Sequence, residues 1–144
     1  MTNPYAAGTT VPVERSRAEL DKILAKHGAT QRGVVQDDEA GRAAVMFVMK
    51  ASQYRLEVPL PKPKEYATPA KWEQSCRERW RAVVLLVKAK LELARLGVSS
   101  VEREFLADLV LPDGQTLHTA MRGPIADALA NGRMPRLLLP GGST

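Results

Sequence analysis

The order of periodicities along this 144-residue chain predicts an α+β domain. Its core reads α-β-β-β-α: a three-stranded antiparallel meander, one long helix, and two shorter C-terminal helices. Three observations carry that reading. A capping-box pattern opens an amphipathic helix ahead of any strand signal. Three runs of strand character follow, joined by connections too short for a crossover, which favours antiparallel pairing. Thr68 to Gly97 then carries the start signal, stop signal and period of one long helix.

The first helix is expected from Ser16. In Ser16-Arg17-Ala18-Glu19 the serine hydroxyl and the glutamate three residues on each satisfy a free backbone N–H. Leu20, Ile23 and Leu24 give its buried face, and Gly28 ends it. Residues 1–12 carry two prolines and no apolar period, and read as a flexible arm. A single domain is expected over 13–139, with 140–144 as a flexible tail.

The strands are expected at Thr30 to Gln36, Arg42 to Ala51 and Tyr54 to Leu60. Asp37 to Gly41 is a polar connection between the first two. The second run is apolar on both alternating sets: Ala43, Val45, Phe47 and Met49 on one, Ala44, Met46 and Val48 on the other. Such a strand lies in the middle of a covered sheet, or turns its second face to a partner. For this reason a homo-oligomer is expected. The third run alternates, with Tyr54, Leu56, Val58 and Leu60 inward. Pro59, Pro61 and Pro63 end it and keep the following linker extended.

Thr68 is an N-cap and Pro69 takes the first helical position, where a missing N–H costs nothing. Trp72, Cys76, Trp80, Val83, Val84, Val87, Leu91 and Ala94 recur at helical spacing as one apolar stripe, and Gly97 stands where a left-handed residue closes the helix. Core packing is the reading favoured for both tryptophans over base stacking, because they share that stripe. Ser99-Ser100-Val101-Glu102 is a second capping box, opening a short helix to about Ala107. The last helix covers Leu117 to Asn131, with Met121, Ile125, Ala128 and Leu129 inward and Gly123-Pro124 as an interruption.

Apolar residues make up 44% of the chain and charged residues 26%, the balance of an ordinary folded domain. The single cysteine, Cys76, excludes an internal disulfide and reads as a buried thiol, so a reducing, cytoplasmic compartment is the expected setting. No secretory signal opens the chain and no apolar run is long enough to span a membrane.

Catalytic patterns are thin, and a non-enzymatic protein without cofactor or metal is expected. His27 and His118 have no partner histidine or cysteine at ligand spacing. Asp38 and Glu57 would make a nuclease-like carboxylate pair, but Pro59 stands where such chemistry places a lysine. The positive signal is charge: a formal +5, with an isoelectric point near 9.6, suits nucleic acid or an acidic protein surface. Arg77, Arg81, Lys88 and Arg95 share one face of the long helix, away from its apolar stripe, and Lys50, Lys62 and Lys64 lie near it in sequence. These seven are the candidate phosphate contacts. Pairing of Glu73 with Arg77 and of Glu78 with Arg81 would neutralise part of that face.

Val11-Pro12-Val13-Glu14, Arg17-Ala18-Glu19, Arg79-Trp80-Arg81-Ala82, Lys88 to Glu92, Glu104 to Ala107 and Leu111 to Gly114 together resemble a type of small protein met in phage and mobile-element genomes. The likeness spans most of the chain. It implies a mobile-element setting and attaches no activity or site residue. The α-β-β-β-α order is also similar to double-stranded-RNA-binding domains, although Pro69 to Glu73 holds one lysine, Lys71, where a cluster would stand. A β-β-β-α core resembles phage single-strand annealing proteins. The expected function is that of a nucleic-acid-binding accessory protein of phage or mobile-element origin, gripping phosphates along the basic helix edge. The alternative is a protein-interaction module, such as an inhibitor of a host defence system or an assembly factor. It would act through the Met46 and Val48 face or the Arg133 to Leu139 segment.

Overall fold

The computed structural model describes residues 6–135. Helices α1 (Val13–Lys26) and α2 (Pro69–Arg95) lie on one face of a sheet of three strands: β1 (Gln31–Asp37), β2 (Arg42–Met49) and β3 (Ser52–Pro59). The sheet is an antiparallel meander in the order β1-β2-β3, so β2 is central. Two short helices, α3 (Val101–Glu104) and α4 (Leu117–Asn131), follow, with a 3-10 turn at Leu106–Asp108 between them. This is the α+β order that the sequence predicts.

Register places Val34, Val45 and Leu56 side by side, and Phe47 opposite Tyr54. The inward set Ala43, Val45, Phe47, Met49, Tyr54, Leu56 and Val58 therefore faces Leu20 and Leu24 of α1 and Trp80, Val84, Val87 and Leu91 of α2. Phe105, following α3, plugs one end of this core. Its ring meets Phe47 edge-on at 5.3 Å, while Phe47 and Tyr54 stack at 5.2 Å. Aromatic pairs at these distances add to burial alone.

Among the described residues no helix lies over the second face of β2. Ala44, Met46 and Val48 are only half-buried by their neighbours, and Val35 beside them is 56% exposed.

α2 matches its signals. Thr68 Oγ1 accepts from Lys71 N, Pro69 opens the helix, and Gly97 follows its end at φ 77°. Trp80 is buried, whereas Trp72 is half-buried and donates its Nε1–H to Pro61 O at 2.8 Å. That bond ties the proline linker to the helix.

Several expectations are corrected. α1 begins at Val13, not at Ser16. Pro12 is its N-cap residue, and the Pro12 carbonyl accepts from both Arg15 N and Ser16 N. Ser16 is thereby carried onto the buried face, where its hydroxyl has no hydrogen-bond partner. Glu19 is free to reach another helix. Nor is the stretch before α1 wholly a loose arm: Ala6 is buried, Gly8 N donates to Glu78, and Gln74 donates to Thr9 O. Residues 1–5 of that arm, the 140–144 tail and most of the Arg133 to Leu139 segment lie outside the described residues.

The second capping serine is Ser100, whose Oγ accepts from Arg103 N, while Ser99 donates its hydroxyl to Glu104. α4 keeps its predicted bounds but not its predicted burial. It runs through Pro124 and buries no residue, with Ile125 and Leu129 at 44% and 81% exposure. Its main contact is the 3-10 turn at its base. The carbonyl that Pro124 leaves unpaired sits in an exposed helix, where solvent can satisfy it, so the helix continues.

Candidate nucleic-acid interface

A basic edge arises because α1 and α2 run side by side in the same direction. Thr9 and Gly8 meet Gln74 and Glu78, Glu19 meets Arg81, and Lys26 and His27 act on Glu92. Along α2, Arg77, Arg81, Lys88 and Arg95 fall at spacings of four, seven and seven, which keeps them on one helical face. Along α1, Arg15, Lys22 and Lys26 at spacings of seven and four make a matching stripe. Both stripes border the seam between the helices.

The edge is only partly neutralised. Arg81 Nη1 and Nη2 grip both carboxylate oxygens of Glu19, at 3.2 and 3.0 Å. This fork-to-fork pair is the strong geometry for a guanidinium. The Arg81 hydrogen bond holds the Glu19 carboxyl below its ordinary range. Desolvation opposes that shift, and the charges of Arg81, Lys88 and Arg15 reinforce it. Arg95 pairs with Glu92, whose carboxyl is lowered in the same way, first by the Arg95 hydrogen bond. Arg77 donates to Gln74 Oε1 and forms no ion pair among the described residues. The same holds for Arg15, Lys22, Lys26 and Lys88. Three carboxylates, Glu19, Glu78 and Glu92, thus face seven cations along this edge.

Neither helical pair expected from spacing forms. Glu73 does not meet Arg77, and Glu78 turns to Gly8 N and Gln74 instead of Arg81. The preference has a physical reason: Glu19 offers Arg81 two parallel bonds, while a single-helix pair at that spacing adds only a few tenths of a kcal/mol.

The three lysines outside α2 lie on other elements. Lys50 occupies the β2–β3 turn, beyond the far end of β2. Lys62 packs its stem against Gly41, at the near end of the same strand, and Lys64 belongs to the 3-10 turn at Pro63–Glu65. The two groups stand at opposite ends of an eight-residue strand, about 25 Å apart at strand rise. Arg15, Lys22 and Lys26 are the edge residues that inspection of α2 alone does not reveal. Their own i, i+7, i+11 spacing was visible, but only the packing of α1 on α2 joins them to the rest.

At the N-terminal end of α2 lies a cleft of about 590 Å³. Trp72, Trp80, Pro61 and Leu60 give it apolar walls, Cys76 opens onto it, and Glu14, Asp37, Asp38 and Glu73 border it. Burial pushes the Cys76 thiol up, although the nearby arginines oppose the shift. The protonated thiol is a poor nucleophile. Among the described residues no group of three His, Cys, Asp or Glu side chains is placed to hold a metal ion, and no helix is long and apolar enough to cross a membrane.

Comparison of the chain with protein-family models, with curated proteins and with solved structures found no match.

Proposed function

We propose that this protein is a non-enzymatic nucleic-acid-binding accessory protein, of phage or mobile-element origin, which grips the phosphate backbone along the α1–α2 edge. One observation supports the reading above others: two parallel helices bring two separate cationic stripes to one seam, with too few carboxylates to neutralise them. Lys22, Lys26 and Lys88 are exposed and free of ion pairs among the described residues, so they meet a phosphate without first breaking an internal bond. Arg81, held by Glu19, stiffens the seam. Such contacts release counterions and carry no base sequence information.

The test is charge reversal of Lys22, Lys26 and Lys88 to glutamate, measured by titration of labelled duplex and single strands over a salt series. Wild type is expected to bind at about 50 mM salt, with an affinity that falls as salt rises. Reversal is expected to abolish binding at unchanged melting temperature, because all three side chains are solvated. Reversal of Lys50, Lys62 and Lys64 is expected to leave binding near wild type. No wild-type binding at about 50 mM salt, or equal binding by the first triple variant, overturns the proposal.

A second reading has its own observation. The uncovered sheet face carries Val35, Met46 and Val48, an apolar surface suited to a protein partner. In that case the protein is an interaction module, such as an inhibitor of a host defence system or an assembly factor. Met46→Lys with Val48→Lys would then remove partner capture from a nuclease-treated lysate, and would leave nucleic-acid retention unchanged.

A further inference from the structure

α2 carries a second apolar stripe, on the side away from the core. Ala82, Leu86, Ala89, Leu93 and Leu96 recur at spacings of four, three, four and three, the seam of a coiled coil. All five are exposed, the leucines at 49%, 38% and 59%. No described segment of the chain covers them. α1 lies against the basic edge, α3 docks through Lys90 and Phe105, and α4 leans on the 3-10 turn.

We propose that this stripe is the interface between two copies of the chain, packed with their α2 helices antiparallel. The stripe is complementary to its own reverse. With the two-fold axis between Val87 and Lys88, Leu86 of one copy falls opposite Ala89 of the other, and Ala82 opposite Leu93. Every leucine in these layers meets an alanine, which lets the helix axes approach closely and leaves no void. A parallel pair would set alanine against alanine in alternate layers and open a gap at each. The positions flanking the stripe are Val83 and Lys90 on one side and Leu85 and Glu92 on the other, while Arg81, Lys88 and Arg95 stay on the side that faces α1, outside the seam. A seam smaller than the roughly 800 Å² per partner of a standard interface makes the association weak and concentration-dependent.

The test uses the full chain without nucleic acid, so its result is independent of the function proposed above. Sedimentation velocity is expected to show a monomer–dimer equilibrium between about 10 and 500 µM. Leu86→Glu with Leu93→Glu is expected to give monomer throughout, with an unchanged circular dichroism spectrum. Orientation is read by oxidation in a Cys76→Ser background. Ala82→Cys with Leu93→Cys is expected to yield a covalent dimer, and Ala82→Cys alone is not. The two positions are eleven residues apart, about 16 Å along one helix, too far to join within a chain. Wild type that stays monomeric across the range overturns the proposal. So does a dimer that survives the double glutamate variant, which would lie on the sheet face or α4 instead. Cross-linking of Ala82→Cys alone would establish a parallel pair and refute the antiparallel seam.

Discussion

α2 and α4 are built from the same local parts and end in opposite situations. Each starts at a threonine whose hydroxyl accepts the N–H three residues on, Lys71 N in one and Thr119 N in the other. Each is closed by a left-handed glycine, Gly97 at φ 77° and Gly132 at φ 66°. Both hold a proline, at the first position of α2 and inside α4. Yet α2 buries Trp80, Val84, Val87 and Leu91, while α4 buries nothing. Caps and propensity decide that a helix forms, and they act within a few residues. Burial needs apolar side chains that stay in phase over several turns opposite a sheet. α2 holds that phase from Trp80 to Leu91. α4 has in-phase apolar residues too, Met121, Ile125, Ala128 and Leu129, but its base rests on a 3-10 turn instead of a sheet.

The contrast is broken most directly by truncating one large side chain in each helix. Trp80→Ala is expected to cost about 3–5 kcal/mol in denaturant unfolding, the range for removing a fully buried aromatic. Leu129→Ala, at 81% exposure, is expected to change stability by less than about 0.5 kcal/mol. Equal effects would mean that α4 has a packing partner in solution.

The β2–β3 turn sharpens the comparison from the other side, because there the local sequence opposes the geometry. Met49 pairs with Ser52, leaving Lys50 and Ala51 as a two-residue loop at φ 51° and 67°. Positive φ at both positions is the pattern of Asn-Gly hairpins, and side chains such as these are strained in it. Replacing Lys50 by Asn and Ala51 by Gly is expected to stabilise the fold by about 1 kcal/mol, read from the denaturation midpoint. A destabilised double variant would show that tertiary contacts hold this turn in place.

The smallest expected effect belongs to the tie between α1 and α2. The Glu19 carboxyl is depressed in the folded state, so its contribution is present above the unfolded value, near pH 4.3, and is lost as pH falls through the folded one. Glu19→Gln is expected to cost under about 1 kcal/mol at pH 7, because the pair is partly solvated. Wild type and variant should converge in stability as pH falls through the depressed Glu19 value. A gap that persists at low pH would mean that packing, not charge, makes the contact.

Much of the fold was legible residue by residue. Thr68-Pro69 and Gly97 marked the ends of α2, the two-sided apolar run marked β2 as central, and Pro59 marked the end of β3. The errors came where a signal of the right kind served a different end. Ser16 and Glu19 have capping-box spacing, but Pro12 already supplied the first helical carbonyl, and Glu19 found Arg81 across the helix interface. Glu73 and Glu78 had pairing distance along α2 and took other partners or none. In the candidate interface, Arg77, Arg81, Lys88 and Arg95 were legible as one face. Lys50 and Lys62, both near α2 in sequence, stand at opposite ends of β2.

By itself the sequence determined the elements, because caps, periodicity and proline positions act over one to four residues and need no knowledge of the rest. It also determined the excess of positive charge and the absence of any internal disulfide. Only the tertiary structure decided that α1 runs parallel to α2 and adds Arg15, Lys22 and Lys26 to its edge. It alone decided that Glu19 neutralises Arg81, that α4 stands away from the core, and that one of two apolar stripes on α2 is left uncovered. The physical reason is range: side chains from distant parts of the chain meet only after the sheet fixes how the helices lie, and charge pairing and burial follow from that meeting.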